Sequence, residues 1–321
     1  MTTYGDGVYQ YGGAPVGGAR YSSPWATHYF VDGQSGCGNN GFDGKKPNAA
    51  FATLTYALTK AGKEDVIYVR TKGAKDDASD YYYYEDGAQI VVPYASENLS
   101  IIGVTPQRRN PYMGVWFQHG ANSGETGYVL MNYAPGLCLE NLGFSAKDYI
   151  RSSYGAAMMY GGPYATYAGS VGFGIYNCFF RDGQLNVWGG YDSCTSGCTF
   201  KASGSANTGY WSTSNTYPTG GHQVINSHFG EMFADNSALR YIYFVAGAQK
   251  DLLIKGNSFG LVPADAHYMW FGGSVTGLVT DCHFQHAQVS TGTNDTSDEL
   301  YSADGGVIFG AIYDGSTFIV T

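Results

Sequence analysis

The chain has 321 residues, of which 47 are glycine and 29 are tyrosine, and only 13% are charged, about half the usual ~25%. This composition excludes a disordered chain, which is poor in aromatic residues, and a helical bundle, which contains few glycines; an all-β chain is expected. The net charge of −9 argues against nucleic acid or an anionic membrane as a partner, because both attract clustered Lys and Arg.

The first 25 residues alternate tyrosine with glycine and lack the apolar bulk for a core of their own. We predict an arm that docks onto another protein surface through Tyr4, Tyr9, Tyr11 and Pro15, because tyrosine offers a large contact area at low entropic cost. The alternative is a flexible tail. No basic and apolar leader is visible at the N-terminus, and no run of 18 apolar residues is present, so neither a secretory signal nor a membrane helix is expected.

A compact block of predicted elements follows the arm. It begins with a strand over 28–33 and a Gly/Asn/Asp loop over 36–44. Residues 51–58 predict a short amphipathic helix, because their apolar residues recur at i, i+3, i+6 and i+7. A strand over 65–70 completes the block, and the sequence predicts no other helix.

The rest of the chain predicts a succession of short strands that contain an internal repeat. In each of six copies between Leu139 and Phe284, a β-branched residue or Leu stands two residues before an Asn, Gly or Asp, and a Phe follows three residues later. The closing residues of the copies are Phe144, Phe180, Phe200, Phe229, Phe259 and Phe284. Asn, Gly and Asp tolerate a left-handed bend between two strands, so the pattern predicts a solenoid with inward-pointing phenylalanines.

Cysteine and histidine take fixed places in this repeat. Cys178, Cys198 and Cys282 stand two residues before the Phe and are expected to point inward with it. His228 and His283 stand immediately before the Phe and are expected to point outward. All six cysteines are predicted to be free thiols, and their spacing predicts no metal site.

The block from His28 to Lys72 resembles the N-terminal cap of right-handed parallel β-helix proteins of the pectin-lyase-like superfamily. The repeats resemble the coil corners of the same superfamily. The resemblance implies an all-β fold, a single-stranded right-handed parallel β-helix with a short N-terminal capping helix. It divides the chain into a docking arm over 1–25, a cap over 26–72 and coils with loop insertions over 73–321. Nine or ten coils stacked at ~4.8 Å would give a column of about 45 Å.

Catalytic groups of carbohydrate-active β-helices are not found at matching positions. Glycoside hydrolysis needs two carboxylates that face each other, and the repeat does not align the acidic candidates. These candidates are Asp182, Asp192, Glu231, Asp251 and Asp281. The polygalacturonase pattern has Gly-His-Gly, whereas this chain has Gly221-His222-Gln223. The sequence therefore predicts no catalytic residue, cofactor or metal.

Two groups of tyrosines are candidate contact residues, either between subunits or to a glycan. They are Tyr81, Tyr82, Tyr83 and Tyr84 before an acidic turn, and Tyr154, Tyr160, Tyr164 and Tyr167 in an insertion between coils. Packing of loops onto the column is the third explanation for them. Three copies packed side by side would bury one such face each, which favours a homotrimer.

Three functions remain open on the sequence. The chain resembles bacteriophage virion β-helix proteins, which implies a non-enzymatic capsid decoration or cement protein, made in the host cytoplasm and bound to a capsid or other virion protein. The first alternative is a tailspike or depolymerase that binds or cleaves a host surface polysaccharide. The second alternative is a cellular glycan-active or adhesive β-helix.

Overall fold

The structure is a computed structural model in which almost every described element is a β-strand. It describes residues 10–11, 14–15, 23–34, 36–72, 83–84, 89–104, 114–118, 128–145, 155–160, 169, 171–181, 184–201, 211–213, 219–230, 240–244, 249–260, 267–271, 275–284, 300–302, 307–309, 312–314 and 317–319. Within these ranges, three sheets built from parallel strands form a right-handed parallel β-helix. A separate two-stranded antiparallel hairpin joins β1 (Gln10–Tyr11) to β2 (Ala14–Pro15).

The strands are distributed over three sheets. Sheet 1 contains β3 (His28–Asp32), β4 (Val66–Arg70), β7 (Ser100–Gly103), β10 (Cys138–Glu140), β13 (Gly174–Tyr176), β16 (Gly190–Tyr191), β17 (Cys194–Ser196), β20 (Thr219–Gly220), β21 (Gln223–Ile225), β24 (Gln249–Lys255), β27 (Val275–Thr280) and β30 (Val307–Phe309). Sheet 2 contains β5 (Tyr83–Tyr84), β8 (Val115–Gln118), β11 (Leu142–Ser145), β14 (Phe179–Arg181), β18 (Thr199–Lys201), β22 (His228–Phe229), β25 (Ser258–Phe259), β28 (Cys282–Phe284), β31 (Ile312–Asp314) and β32 (Thr317–Ile319). Sheet 3 contains β6 (Ile90–Val92), β9 (Tyr128–Asn132), β12 (Gly155–Tyr160), β15 (Gln184–Trp188), β19 (Trp211–Thr213), β23 (Arg240–Phe244), β26 (His267–Phe271) and β29 (Leu300–Ser302).

Each coil passes from sheet 3 to sheet 1 and then to sheet 2, as β15, β17 and β18 do in succession. Strands of successive coils pair in parallel, and the terminal pair of β31 with β32 is antiparallel. Apart from the short strands β16 and β20, sheet 1 contains one strand from each of ten coils, so the expected number of coils is confirmed. The predicted solenoid fold is therefore confirmed as well.

A single left-handed residue forms the sharp corner between sheets 1 and 2 in every repeat copy, as predicted. These residues are Asn141, Asn177, Gly197, Asn226, Gly256 and Asp281, with φ between 50° and 66°. A second left-handed corner, between sheets 3 and 1, was not predicted. It contains Asn98, Gly136, Gly172, Asp192, Gly221 and Asp251, with φ between 56° and 70°.

At four of these corners a glycine follows an Asn or Asp of the preceding coil, and steric contact explains this order. The four glycines are Gly136, Gly197, Gly221 and Gly256. A Cβ atom added to Gly197 would lie 2.5 Å from Oδ1 of Asn177 in the preceding coil. A Cβ atom added to Gly256 would lie 2.5 Å from Oδ1 of Asn226. At these positions the polar side chain of one coil occupies the space above the next corner, and glycine avoids the clash.

The six predicted phenylalanines are all buried and stack in one column, which confirms their inward orientation. Their successive ring centroids lie 5.6, 4.8, 4.7, 4.8 and 4.9 Å apart. Cys178, Cys198 and Cys282 are buried beside this stack, whereas His228 and His283 are exposed, so both orientations are confirmed. No disulfide joins the six cysteines, all of which lie in described parts of the chain.

The capping helix is present but shorter than predicted. Helix α1 spans Leu54–Leu58, because the Thr53 side chain accepts a hydrogen bond from the backbone N–H of Tyr56 at 3.2 Å and so caps the N-terminus. Phe51, predicted as the first helical residue, is extended and forms a β-bridge with Val31. A 3-10 turn covers Pro47–Ala49. No helix in the described ranges has the length and hydropathy needed to cross a bilayer.

Candidate functional site

Strand pairing in sheet 3 brings one neutral residue from each of eight successive coils into register. Strand pairing brings into register Val91, Met131, Met158, Asn186, Ser212, Tyr243, Trp270 and Tyr301, which we call the sheet 3 row. Trp270 is half-buried and lies between the buried residues Met269 and Phe271, so its side chain points outward. The same alternation directs Tyr243 and Met131 outward. No member of the row is an acid or a base.

A second pair of aromatic residues is in register at the ends of β12 and β15. Tyr160, one of the predicted contact residues, is the last residue of β12 and pairs in register with Trp188. Aromatic and methionine positions therefore dominate the sheet 3 face, and these residue types are enriched in protein interfaces. Sequence reasoning missed Trp188, Tyr243 and Trp270, because loops of variable length separate the sheet 3 strands from the Phe-anchored repeat.

The phenol of Tyr128, the first residue of β9, contacts Asn186 of the sheet 3 row and is held neutral. Burial raises its pKa above the ordinary value, against the opposing effect of hydrogen bonds to Asn186 and Gln184. The Nδ2 group of Asn186 donates to the Tyr128 hydroxyl at 2.9 Å. A neutral phenol that is fixed by amides can orient a ligand or a neighbouring subunit, but it is a poor base at neutral pH.

One of the predicted contact tyrosines belongs to the core. Tyr84 is 1% exposed and stacks near Phe117, with ring centroids 5.3 Å apart. Its hydroxyl accepts from the Gly33 N–H at 2.8 Å and donates to the Arg70 carbonyl at 2.5 Å. The expectation that Tyr84 contacts a partner is therefore wrong, because alternation in β5 directs its ring between the sheets.

Some of the other predicted docking and contact residues lie within the described ranges and others lie outside them. Tyr83 is the first residue of β5, while Tyr11 and Pro15 lie in the β1–β2 hairpin. Tyr4, Tyr9, Tyr81, Tyr82, Tyr154, Tyr164 and Tyr167 lie outside the described residues. Their roles in docking or contact stay predictions.

The charged groups of the first coil form a structural network that the sequence did not predict. Arg70 donates to Oδ2 of the almost fully buried Asp32 at 2.9 Å, and Oδ1 of Asp32 accepts from the Gln34 N–H at 3.0 Å. The ammonium group of Lys72 lies 5.5 Å from the centroid of the Tyr84 ring. These contacts connect the ends of β3 and β4 to β5 and leave Asp32 fully engaged.

The acidic candidates and His222 occupy structural positions. Asp192, Asp251 and Asp281 are left-handed corner residues, and Asp281 forms an exposed ion pair with Lys255 at 3.6 Å. His222 is buried beneath sheet 1, where Nδ1 is hydrogen-bonded to the Ser193 hydroxyl and burial lowers its pKa to about 4. Asp182 and Glu231 lie outside the described residues. Across the described ranges, no group of three or more His, Cys, Asp or Glu could hold a metal ion.

The fold matches solved structures, although no protein-family profile and no characterised protein sequence matches the chain. Pectate lyase Pel9A shares 9% identity at a TM-score of 0.53, with 90% of this chain and 76% of the lyase covered. ORF18 of Geobacillus virus E2 shares 9% identity at a TM-score of 0.51, with 90% and 58% covered, so this chain spans little more than half of the viral protein. A rhamnogalacturonan lyase shares 11% identity at a TM-score of 0.49, with 82% and 69% covered. The likenesses to Pel9A and to ORF18 are to the fold alone, a right-handed parallel β-helix.

Proposed function

We propose that the chain is a non-enzymatic structural protein of a bacteriophage virion, a capsid decoration or cement protein that forms a homotrimer and docks through residues 1–25. The observation that carries the proposal is the sheet 3 row, whose residue types include no acid or base and whose outward-pointing members include Met131, Tyr243 and Trp270. Such a face supplies contact area but no group for proton transfer.

The described residues lack the paired carboxylates that glycoside hydrolysis needs. Hydrolysis of a glycosidic bond requires a carboxylic acid and a second carboxylate on opposite sides of the bond. Of the described corner carboxylates, Asp192 follows β16 and Asp251 lies within β24, and both adopt the left-handed backbone conformation of a corner. The one histidine that matched part of a polygalacturonase motif, His222, is buried and neutral.

A viral protein has the same fold, which is compatible with the proposed virion setting. ORF18 of Geobacillus virus E2 has the same fold over 90% of this chain, so a phage protein can use this architecture. At 9% identity the likeness extends to the fold alone. The decoration role is therefore proposed from the neutral aromatic face and the Tyr/Gly arm.

The homotrimer is tested by sedimentation equilibrium of the full chain. Three copies of 34.5 kDa give about 103 kDa, and we expect this mass for the natural protein. Replacing Tyr243 and Trp270 together by Ala should shift the mass toward the monomer, because hot-spot aromatics each contribute about 2 kcal/mol or more. Tyr191→Ala removes an exposed aromatic from the corner with sheet 1 and serves as control. A monomeric natural protein would refute the trimer.

Docking through the arm is tested with a full-length variant in which Tyr4, Tyr9 and Tyr11 are Ala. Cosedimentation with phage particles is expected to fall at least tenfold, since three buried tyrosines contribute well over ~1.4 kcal/mol together. The control is Tyr94→Ala, an exposed tyrosine on the column. Unchanged cosedimentation of the triple variant would show that the arm does not dock.

A second candidate function is binding of a neutral glycan on the sheet 3 face. Tyr243 and Trp270 are in register on successive coils, at a spacing of about 4.8 Å, which suits stacking of adjacent sugar rings. Quenching of tryptophan fluorescence by neutral oligosaccharides, abolished in Trp270→Ala, would favour this function over trimer contacts.

A further inference from the structure

The outer face of sheet 1 is covered at one end of the column and accessible at the other. In the first two coils, the outward residues Phe30 and Tyr68 are buried in a cluster with apolar residues of the cap. In later coils the same face again carries apolar residues, of which Ile225 and Leu253 are half-buried and Leu278 is 38% exposed. Neither hydrophobic cluster of the described residues includes these three. The later part of sheet 1 therefore presents an apolar surface that the described chain does not cover.

Opposite charges lie on the two sides of this apolar surface. Along β24, Asp251 stands at the corner with sheet 3, Leu253 follows two residues later, and Lys255 stands two residues further on, beside the corner with sheet 2. Both charged side chains are exposed. An ion pair with Asp281 of the next coil, at 3.6 Å, holds the Lys255 ammonium group at this edge. A carboxylate and an ammonium group thus lie at equal distances on either side of Leu253.

The two preceding coils have matching residues on the two sides of the same face. In the coil of β21, Gly221 lies at the corner, Gln223 is in register with Leu253, and Ile225 lies at the far edge. In the coil of β17, the exposed Asp192 lies at the corner and Ser196 at the far edge. Each coil therefore carries a complementary pair: glycine and a bulky residue, or a carboxylate and a hydroxyl.

We infer that the outer face of β17, β21, β24 and β27, which we call the sheet 1 patch, is a two-fold contact between two copies of this chain. Two copies that pack face to face have their two-fold axis in the plane of the contact. An axis along the column, through the in-register residues Leu253 and Leu278, exchanges the two sides of the patch. Lys255 of one copy then meets Asp251 of the other copy. An axis along the strands would instead set Lys255 against itself.

The same axis also matches the other two coils. It sets Ile225 against Gly221, which has no side chain to oppose it, and the Ser196 hydroxyl against the Asp192 carboxylate, which can accept its hydrogen bond. The patch is therefore complementary to itself in charge, in size and in hydrogen bonding. This self-complementarity favours a second copy over a different protein as the occupant.

The size of the sheet 1 patch predicts a weak contact. Four strands at ~4.8 Å and five residues at ~3.3 Å give a face of about 19 Å by 16 Å. This is roughly 300 Å², well below the ~800 Å² per partner that a stable complex buries. The contact is therefore expected to form where copies are concentrated. It uses a different face from the sheet 3 row and does not rest on the proposed trimer.

Disulfide trapping in the full-length protein detects such a weak contact. The accessible thiols Cys37 and Cys194 are first replaced by Ser. Leu278→Cys then places a thiol on the proposed axis, where it faces the same thiol of the other copy. Oxidation by dissolved oxygen with copper phenanthroline should yield a covalent dimer of twice 34.5 kDa. We expect this dimer to form at least tenfold faster than with Lys201→Cys, an exposed position on sheet 2 in the same background.

A double-mutant cycle on the trapping rate tests the ion pair across the axis. In the Leu278→Cys protein at low salt, Lys255→Gln and Asp251→Asn should each slow trapping about fivefold, because each removes both symmetry-related pairs. Asn tolerates the left-handed φ of 56° at residue 251, so the corner is retained. The two changes together should slow trapping no further than either change alone. Lys201→Gln, the same loss of charge on sheet 2, should alter the rate less than twofold.

Two results would overturn the inference. One is trapping of Leu278→Cys that is no faster than trapping of Lys201→Cys. The other is a double variant in which the losses from Lys255→Gln and Asp251→Asn multiply, because independent effects would show that the two residues do not meet.

Discussion

Two adjacent phenylalanines provide a direct test of the inward stack. Phe179 and Phe180 are neighbours in β14 and point to opposite sides of sheet 2. Phe180 is fully buried, with ring centroids 5.6 Å from Phe144 and 4.8 Å from Phe200. Phe179 is half-buried on the outer face and pairs with Trp116 alone among the aromatic contacts described for it. Alanine at each position therefore removes the same atoms from two different environments.

The expected losses of unfolding free energy differ severalfold. Truncation of a fully buried Phe costs about 3–5 kcal/mol, and the two lost ring pairs place Phe180→Ala near the upper end. Phe179→Ala loses about half of the buried area and one ring pair, so we expect about 1–2 kcal/mol. Urea unfolding followed by tyrosine and tryptophan fluorescence measures both values. Equal losses, or a larger loss for Phe179→Ala, would refute the assignment of the stack to the interior.

Three further predictions concern the corners, the buried histidine and the thiols. Gly197→Ala should cost about 1–2 kcal/mol in urea unfolding, because its φ of 65° is left-handed and the new Cβ would lie 2.5 Å from Oδ1 of Asn177. The unfolding free energy should rise by about 3 kcal/mol between pH 4 and pH 6.5, because the unfolded chain binds a proton at His222 near pH 6.5 and the folded chain only near pH 4. In native protein, maleimide should label the exposed Cys37 rapidly and the buried Cys198, whose pKa burial raises to about 12, only on unfolding.

Matched controls separate these effects from general destabilisation. Asn226→Gly, at an equivalent left-handed corner, should change stability by less than about 0.5 kcal/mol, because glycine adopts this conformation readily. His222→Gln should flatten the pH dependence, whereas His228→Gln, on the exposed face, should leave it in place. Fewer than six labelled thiols in denatured, unreduced protein would contradict the absence of disulfides among the described cysteines.

The repeat was visible in the sequence because its corner and its core position each tolerate few residue types. A left-handed φ selects Asn, Gly or Asp, as at Asn177 and Gly197, and a stacked interior position selects Phe, as at Phe180 and Phe200. The second corner uses the same residue types, but its neighbours vary and include the polar Ser193 and His222 inside the column. The second corner therefore could not be recognised as a repeat in the sequence.

Local sequence was insufficient to predict where the helix begins and which aromatic side chains point outward. Phe51 continues the apolar periodicity of the helix, yet the capping bond at Thr53 starts the helix later and leaves Phe51 to pair with Val31. Tyrosine is equally suited to a core and to a surface, so the cluster that contains Tyr84 did not reveal which side chain turns inward. The orientation of Trp270 depends on strand register across coils, which only the structure defines.

The central claim, that the column binds without catalysing a reaction, is tested most directly by measuring turnover of polysaccharides. The full-length protein is incubated with acidic and neutral polysaccharides, and reducing ends and unsaturated products are quantified over time. The proposal predicts that neither rises above the level given by heat-denatured protein, whatever the protein concentration. Product release that scales with native protein concentration and disappears on heating would contradict the proposal and identify a depolymerase.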